Sequence, residues 1–190
     1  MILRKLSKEQ ISAVYKDRMV IDFPPSELKP LSIILDAVDK GIYEGLGLYD
    51  GDRIVGYSYL VKQSADYLID YLAIYPERRN GGVGSTLVRL ISEYMGDAGS
   101  IIVEVEDHEY AKNEEDRKIR IRRLNFYLRN GCCDTGVRVR CFGVEYVILS
   151  VGKLKSDKDS CWELYTSFYK EVLPKDLYTD RIKLLGYTNG

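Results

Sequence analysis

Apolar and charged side chains alternate over residues 1–6, with Ile2 and Leu6 bracketing Arg4, and this period of two predicts a short strand. The period then lengthens. Ile11, Val14, Tyr15 and Met19 recur at helical spacing behind Ser7 and Gln10, the two ends of a capping box. Phe23-Pro24-Pro25 breaks that helix, and a second starts near Pro30, with Leu31, Ile34, Leu35 and Val38 on one face and Gly41 as its stop. Three extended segments follow at residues 43–49, 53–61 and 67–75. Asp50-Gly51 signals a hairpin between the first two, and Ser64-Ala65-Asp66 a turn before the third, which makes an antiparallel meander.

Beyond Pro76 a glycine-rich stretch leads into a third helix, whose apolar face is Leu87, Val88, Leu90, Ile91 and Met95 and whose stop is Gly96 or Gly99. Residues 101–105 are a β-branched strand. A charged helix spans about 113–130 and ends at Gly131. Residues 137–142 and 146–151 read as a pair of strands around Gly143. Residues 153–159 form a polar linker, and Ser160 with Glu163 caps a last helix carrying Tyr165, Phe168, Tyr169 and Val172. This order predicts a mixed sheet covered by helices, in the α/β or α+β class.

Composition narrows the chemistry. The 190 residues suit a single domain, 1–190, divided here into a core of 1–151 and a helical extension of 152–190. A single histidine, His108, excludes His-rich metal sites and leaves one candidate for any Ser/His or Cys/His dyad. No metal is expected. Lys plus Arg is 28 and Asp plus Glu 29, so nothing global favours nucleic acid or an anionic membrane. Four cysteines without CxxC spacing, no apolar run of membrane-spanning length and no signal-peptide pattern lead to the expectation of a cytoplasmic protein.

The segment Arg79-Asn80-Gly81-Gly82-Val83-Gly84-Ser85 lies between a strand and a helix, where glycines admit close backbone approach and free amides attract an anion. A loop with glycines for tight turning only is the competing reading. The segment lacks the Gly-Lys-Ser/Thr of a P-loop, and Leu87 stands where a dinucleotide fingerprint needs its third glycine. It does match Arg/Gln-x-x-Gly-x-Gly/Ala, and the preceding Tyr71-Leu72-Ala73-Ile74-Tyr75-Pro76-Glu77 and the later Phe126-Tyr127-Leu128-Arg129-Asn130-Gly131 resemble segments of the GNAT superfamily of N-acetyltransferases. The resemblance covers residues 1–151. It implies a mixed, mostly antiparallel sheet of about seven strands flanked by helices, with a splay between the fourth and fifth.

What the resemblance implies for the site follows residue by residue. Acetyl-CoA is the co-substrate: the backbone of Leu72, Ala73 and Ile74 pairs with its pantetheine arm, and Arg79 with Asn80, Gly81, Gly82, Val83, Gly84 and Ser85 holds its pyrophosphate. Asn80 departs from the glycine common there, and Arg120 and Arg123 replace the usual Asn and Ala. Tyr127 is the candidate acid for the departing thiolate, a phenol being protonated at neutral pH. Histone-type members use a strand glutamate where this chain has Leu68. Asp70, on the same strand face, is therefore the first candidate base, and Glu104 the second.

His108 reads as a solvated loop residue, and Cys132-Cys133 as packing, since a helix C-terminus disfavours a thiolate. The basic run Arg117, Lys118, Arg120, Arg122 and Arg123 is either a solvated face paired with Glu114, Glu115 and Asp116, or, through Arg120 or Arg123, a contact for acceptor or CoA phosphate. The expected partner is a small-molecule or peptide amine, not nucleic acid or membrane, with a homodimer through the tail left open. A non-catalytic acyl-CoA sensor or scaffold is the other functional class, and a nucleotide-binding regulatory domain the third.

Overall fold

The computed structural model describes residues 1–25, 27–96, 99–151 and 158–188. The chain divides into two compact units, one made of Met1–Ser64 with Ile69–Asp97 and the other of Ala65–Leu68 with Ala98–Gly190.

In the first unit, β1 (Ile2–Lys5) leads through the Ser7/Gln10 capping box into α1 (Lys8–Val14). The helix widens to a π-turn over Tyr15–Met19 and closes as α2 (Val20–Asp22), after which α3 (Leu31–Asp39) starts at Pro30. Strands β2 (Tyr43–Asp50), β3 (Arg53–Gln63) and β4 (Asp66–Ile74) follow in the predicted order, and α4 spans Val83–Met95. The hydrogen-bonded order is β1-β2-β3-β4, with Ile2 opposite Tyr49 and Tyr43 opposite Val61. Every position of β2 from Tyr43 to Tyr49 is buried, which requires cover on both faces of the strand. Gly45 lets α1 lie close: a Cβ there would stand 2.7 Å from Ile11 Cγ1.

The second unit contains β5 (Ile101–Glu106), α5 (Glu114–Arg129), β6 (Cys133–Cys141), β7 (Val144–Val151), α6 (Lys158–Val172), α7 (Lys175–Tyr178) and β8 (Ile182–Tyr187). The start of β4 belongs here, where Tyr67 N donates to Ser100 O at 2.8 Å. The order is β4-β5-β7-β6-β8, with antiparallel β5/β7, β6/β7 and β6/β8 pairs. Asn113 caps α5 through Asp116 N, and Gly131, at φ 88°, ends it.

The fold is the expected mixed α/β arrangement, a mostly antiparallel sheet flanked by helices, with one correction: the described residues form eight strands rather than about seven. The added strand is β8, which pairs with β6 and makes the C-terminal extension more than helical. In addition, α6 begins at Lys158, ahead of the predicted Ser160 cap; of the predicted linker, residues 153–157 lie outside the described residues. Among the described residues no helix is long and apolar enough to cross a membrane.

Candidate active site

β4 ends at Ile74, and a 3-10 turn over Pro76–Arg78 carries the chain to the glycines. Asn80 and Gly82 both have positive φ, 65° and 75°, and Gly82 is the N-cap of α4 without any side-chain cap. A Cβ built at Gly81 or Gly82 would meet nothing within 4 Å, so the turn is open to a ligand while α4 presents its first amides. Arg79 is half-exposed. Its Nε donates to Ile74 O at 2.8 Å, and Nη2 lies 3.1 Å from Asp22 Oδ1. Asp22, 7% exposed, also accepts from the Tyr57 hydroxyl at 3.0 Å. These groups fit a diphosphate: a fork of donors, uncapped amides and no side chain in the way.

Asp70 lies on β4 with its side chain 2% exposed. Lys29 Nζ, itself 13% exposed, stands 2.6 Å from Asp70 Oδ1, and the Tyr43 hydroxyl donates to Oδ2. Burial, and then the Asp70 charge, push the Tyr43 phenol well above its ordinary pKa. Lys29 is also tied through its backbone, its N–H donating to Tyr71 Oη at 2.9 Å and its O accepting from the Tyr15 hydroxyl at 3.0 Å. Leu68 is in the core.

In the second unit, Glu104 on β5 accepts from two tyrosines of α6, Tyr165 at 2.5 Å and Tyr169 at 2.9 Å. Tyr127 is half-buried near the end of α5, and burial followed by the Cys132 thiol raises its pKa, against a smaller opposite pull from Arg123. The phenol is therefore a proton holder across the whole neutral range. Cys132 is buried, its thiol pushed up to about 12 by burial, then by Cys133; Cys133 itself is exposed.

Three of the five basic residues of the run, Arg117, Arg120 and Arg123, are paired within the chain. Arg120, with its side chain only 7% exposed, reaches Asp107 O at 2.9 Å, Asp116 at 3.2 Å and Glu106 at 3.3 Å, and Arg123 pairs with Glu106. Arg117 lies 3.4 Å from Glu109. The paired reading thus holds for these three arginines, but of the acidic residues at the helix start Asp116 is the partner shown, the other pairs go to Glu106 and Glu109, and Arg120 is buried rather than solvated. His108 is half-buried with Nε2 3.1 Å from Glu109, and its Nδ1 is buried without a hydrogen bond, so it is less solvated than expected.

The model of the acetyltransferase (GNAT) family matches residues 9–114, more than half of the chain. The chain belongs to the GNAT family. No curated protein matches it. Solved structures give the same fold at low identity. A Bacteroides thetaiotaomicron protein of the GNAT family is 21% identical with a TM-score of 0.73 over 92% of this chain and all of its own. An aminoglycoside 6'-N-acetyltransferase complexed with coenzyme A is 15% identical, TM-score 0.57, over 82% and 98%. The dodecameric spermidine N-acetyltransferase of Vibrio cholerae is 14% identical, TM-score 0.59, over 80% and 92%.

Within this GNAT chain the first unit brings together Asp70, Leu72, Ala73, Ile74 and the whole 79–85 turn, and the second holds Glu104 and Tyr127. One detail alters the expected use of the strand: Ile74 O already accepts from Arg79. Sequence reasoning missed Lys29, Tyr43 and Asp22, the partners of Asp70 and Arg79. Lys29 stands 41 residues from Asp70 in a proline-flanked loop, and no local spacing marks such a pair. Tyr165 and Tyr169 were legible only as an apolar helix face.

Proposed function

We propose that this GNAT-family chain moves an acetyl group from acetyl-CoA to a primary amine by direct transfer in a ternary complex. The family match over residues 9–114 carries the reading, and the open turn at Arg79 supports it. That a fold neighbour is complexed with coenzyme A is in keeping with it. Acetyl-CoA, when bound, supplies the activated acetyl thioester.

In this reading Arg79 and the main chain of Asn80, Gly81, Gly82, Val83, Gly84 and Ser85 hold the pyrophosphate, and the main chain of Leu72, Ala73 and Ile74 lines the pantetheine arm. Asp70 takes the proton from the acceptor's ammonium, directly or through water, because only the neutral amine is nucleophilic. Glu104 keeps second place, since both its oxygens accept tyrosine hydroxyls. Tyr127 keeps a proton at Oη for the departing sulfur. The acceptor is a small-molecule or peptide amine, the setting cytoplasmic; residues 1–151 carry the chemistry, and the tail adds cover or a dimer contact.

Titration calorimetry with CoA and a CoA-release assay over polyamine, aminoglycoside, amino acid and peptide amines test this. Tight CoA binding with amine-dependent release is the expected result. Absence of CoA binding overturns it. The sensor reading is favoured by one observation, that Asp70 and Glu104 both have internal partners already, and binding without release for any amine would establish it.

A further inference from the structure

Asp70 carries a carboxylate into a part of the first unit where its side chain is 2% exposed, and an isolated charge at such a position costs several kcal/mol in desolvation. Its two oxygens are served by different elements: Tyr43 on β2 donates to Oδ2, and Lys29, on the loop between α2 and α3, brings its ammonium to Oδ1 at 2.6 Å. The same ammonium lies 5.4 Å from the centroid of the Tyr71 ring, within cation–π range. Carboxylate, phenol and aromatic face are the elements of a receptor for an alkylammonium ion. All three groups are on strands, Asp70 and Tyr71 on β4 and Tyr43 on β2, whereas the ammonium comes from a loop.

That loop is a strap rather than a framework. Its residues Phe23, Glu27 and Lys29 are held by the Tyr71 hydroxyl, which donates to Glu27 O at 2.8 Å and accepts from Lys29 N, by the Tyr15 hydroxyl on Lys29 O, and by an edge contact of Phe23 with Tyr71. The Lys29 head has the chemistry of a primary amine: a compact ammonium on an unbranched stem. A buried carboxylate meant to receive such a head cannot stand uncompensated, and a lysine of the chain's own supplies the charge.

We propose that Asp70, Tyr43 and Tyr71 form a binding site for an alkylammonium group, that Lys29 occupies it in the ligand-free chain, and that the acceptor's ammonium takes Lys29's place. The last part rests on the acetyl-transfer reading. In that reading the pyrophosphate turn lies beyond the C-terminal end of β4, so a pantetheine arm along Ile74 to Leu72 leads toward Asp70, two residues further and about 7 Å along the strand. The substrate class follows: an unbranched primary alkylamine, cationic before reaction, in preference to an aromatic or neutral amine.

The test uses Lys29→Ala with n-butylamine, which restores the deleted ammonium and stem. The variant melts below the native chain, and n-butylamine raises its melting temperature by several degrees, whereas 1-butanol does not and Lys29→Ala/Asp70→Asn is indifferent to both. A folded Lys29→Ala protein whose melting ignores n-butylamine overturns the site; if the variant does not fold alone, failure of n-butylamine to recover it during refolding does the same. With n-butylamine as acceptor, CoA release in Lys29→Ala has a KM about ten-fold below that of the native chain, because the internal competitor is gone. An equal or higher KM overturns the exchange. Rescue of melting with no CoA release from either protein, for any amine, keeps the ammonium site and removes the acetyl-transfer reading instead.

Discussion

Arg79 and Asp22 are joined across 57 residues of sequence by a 3.1 Å ion pair, so the guanidinium at the glycine turn is positioned from the end of the N-terminal helix. Asp22 is in turn fixed by Tyr57. A guanidinium held this way loses little freedom on meeting a phosphate, and one charge-assisted contact is worth about 1.5–3 kcal/mol. Arg79→Ala should therefore weaken CoA binding roughly 10- to 150-fold in calorimetry. Arg79→Lys should recover the charge but not the fork, leaving affinity between the two. Unchanged affinity in Arg79→Ala would remove the turn from the binding site.

Tyr127→Phe should lower kcat by on the order of 100-fold, the low end of the range for a general acid, while KM for acetyl-CoA stays within about two-fold. The split matters because a loss of packing alone would appear in melting and in KM. A variant with native turnover returns Tyr127 to the chain's structural tyrosines.

Burial raises the phenol pKa of Tyr43, Tyr57, Tyr59, Tyr127 and Tyr165 above the ordinary value near 10. In the unfolded chain these groups lose their protons near pH 10, whereas the folded chain retains them, so the unfolded state binds fewer protons above that pH and stability falls as pH rises. Each such tyrosine costs at most about 1.4 kcal/mol per pH unit in that window and nothing below it. Absorbance at phenolate wavelengths should show these five of the 16 tyrosines ionising only together with loss of structure. A smooth titration of all 16 around pH 10 in the folded protein would contradict this.

Arg120 and Arg123 sit on one helix face yet should behave differently. Removing buried Arg120 leaves Asp116 without its ion pair, Glu106 with Arg123 as its one remaining arginine and Asp107 O without its donor, and Arg120→Ala should destabilise by about 3 kcal/mol in denaturant unfolding. Arg123 is exposed, and Arg123→Ala should cost less than about 1 kcal/mol. Both variants should retain the Michaelis constants of the native chain; a raised KM for either substrate would restore the idea that this run meets a ligand.

The elements legible in the sequence are those whose signal is local. Ser7 with Gln10, Asp50-Gly51, and the stops at Gly41, Gly96 and Gly131 mark boundaries that the structure keeps, because caps and positive φ are settled within a few residues. β8 was not legible: of Ile182–Tyr187 only Ile182 is buried, so the strand has almost no apolar alternation to show. The π-turn at Tyr15–Met19 keeps the same apolar spacing as an α-helix. At the candidate site, Arg79, the glycines and Asp70 stand out in the sequence as motif or strand position, and their roles there are proposals. Lys29 does not stand out, since what selects it is a carboxylate brought near by β4, and Arg120 looked solvated because a charged helix with no apolar stripe hides the one arginine it turns inward.

Three of the four cysteines, Cys132, Cys141 and Cys161, are buried, and only Cys133, at the start of β6, is exposed. To a water-soluble electrophile the native chain thus behaves as if it had one cysteine, although it has four. A maleimide dye should attach once, at Cys133, six residues from Tyr127, and so report on the end of α5 without any residue having to be removed to make the label unique.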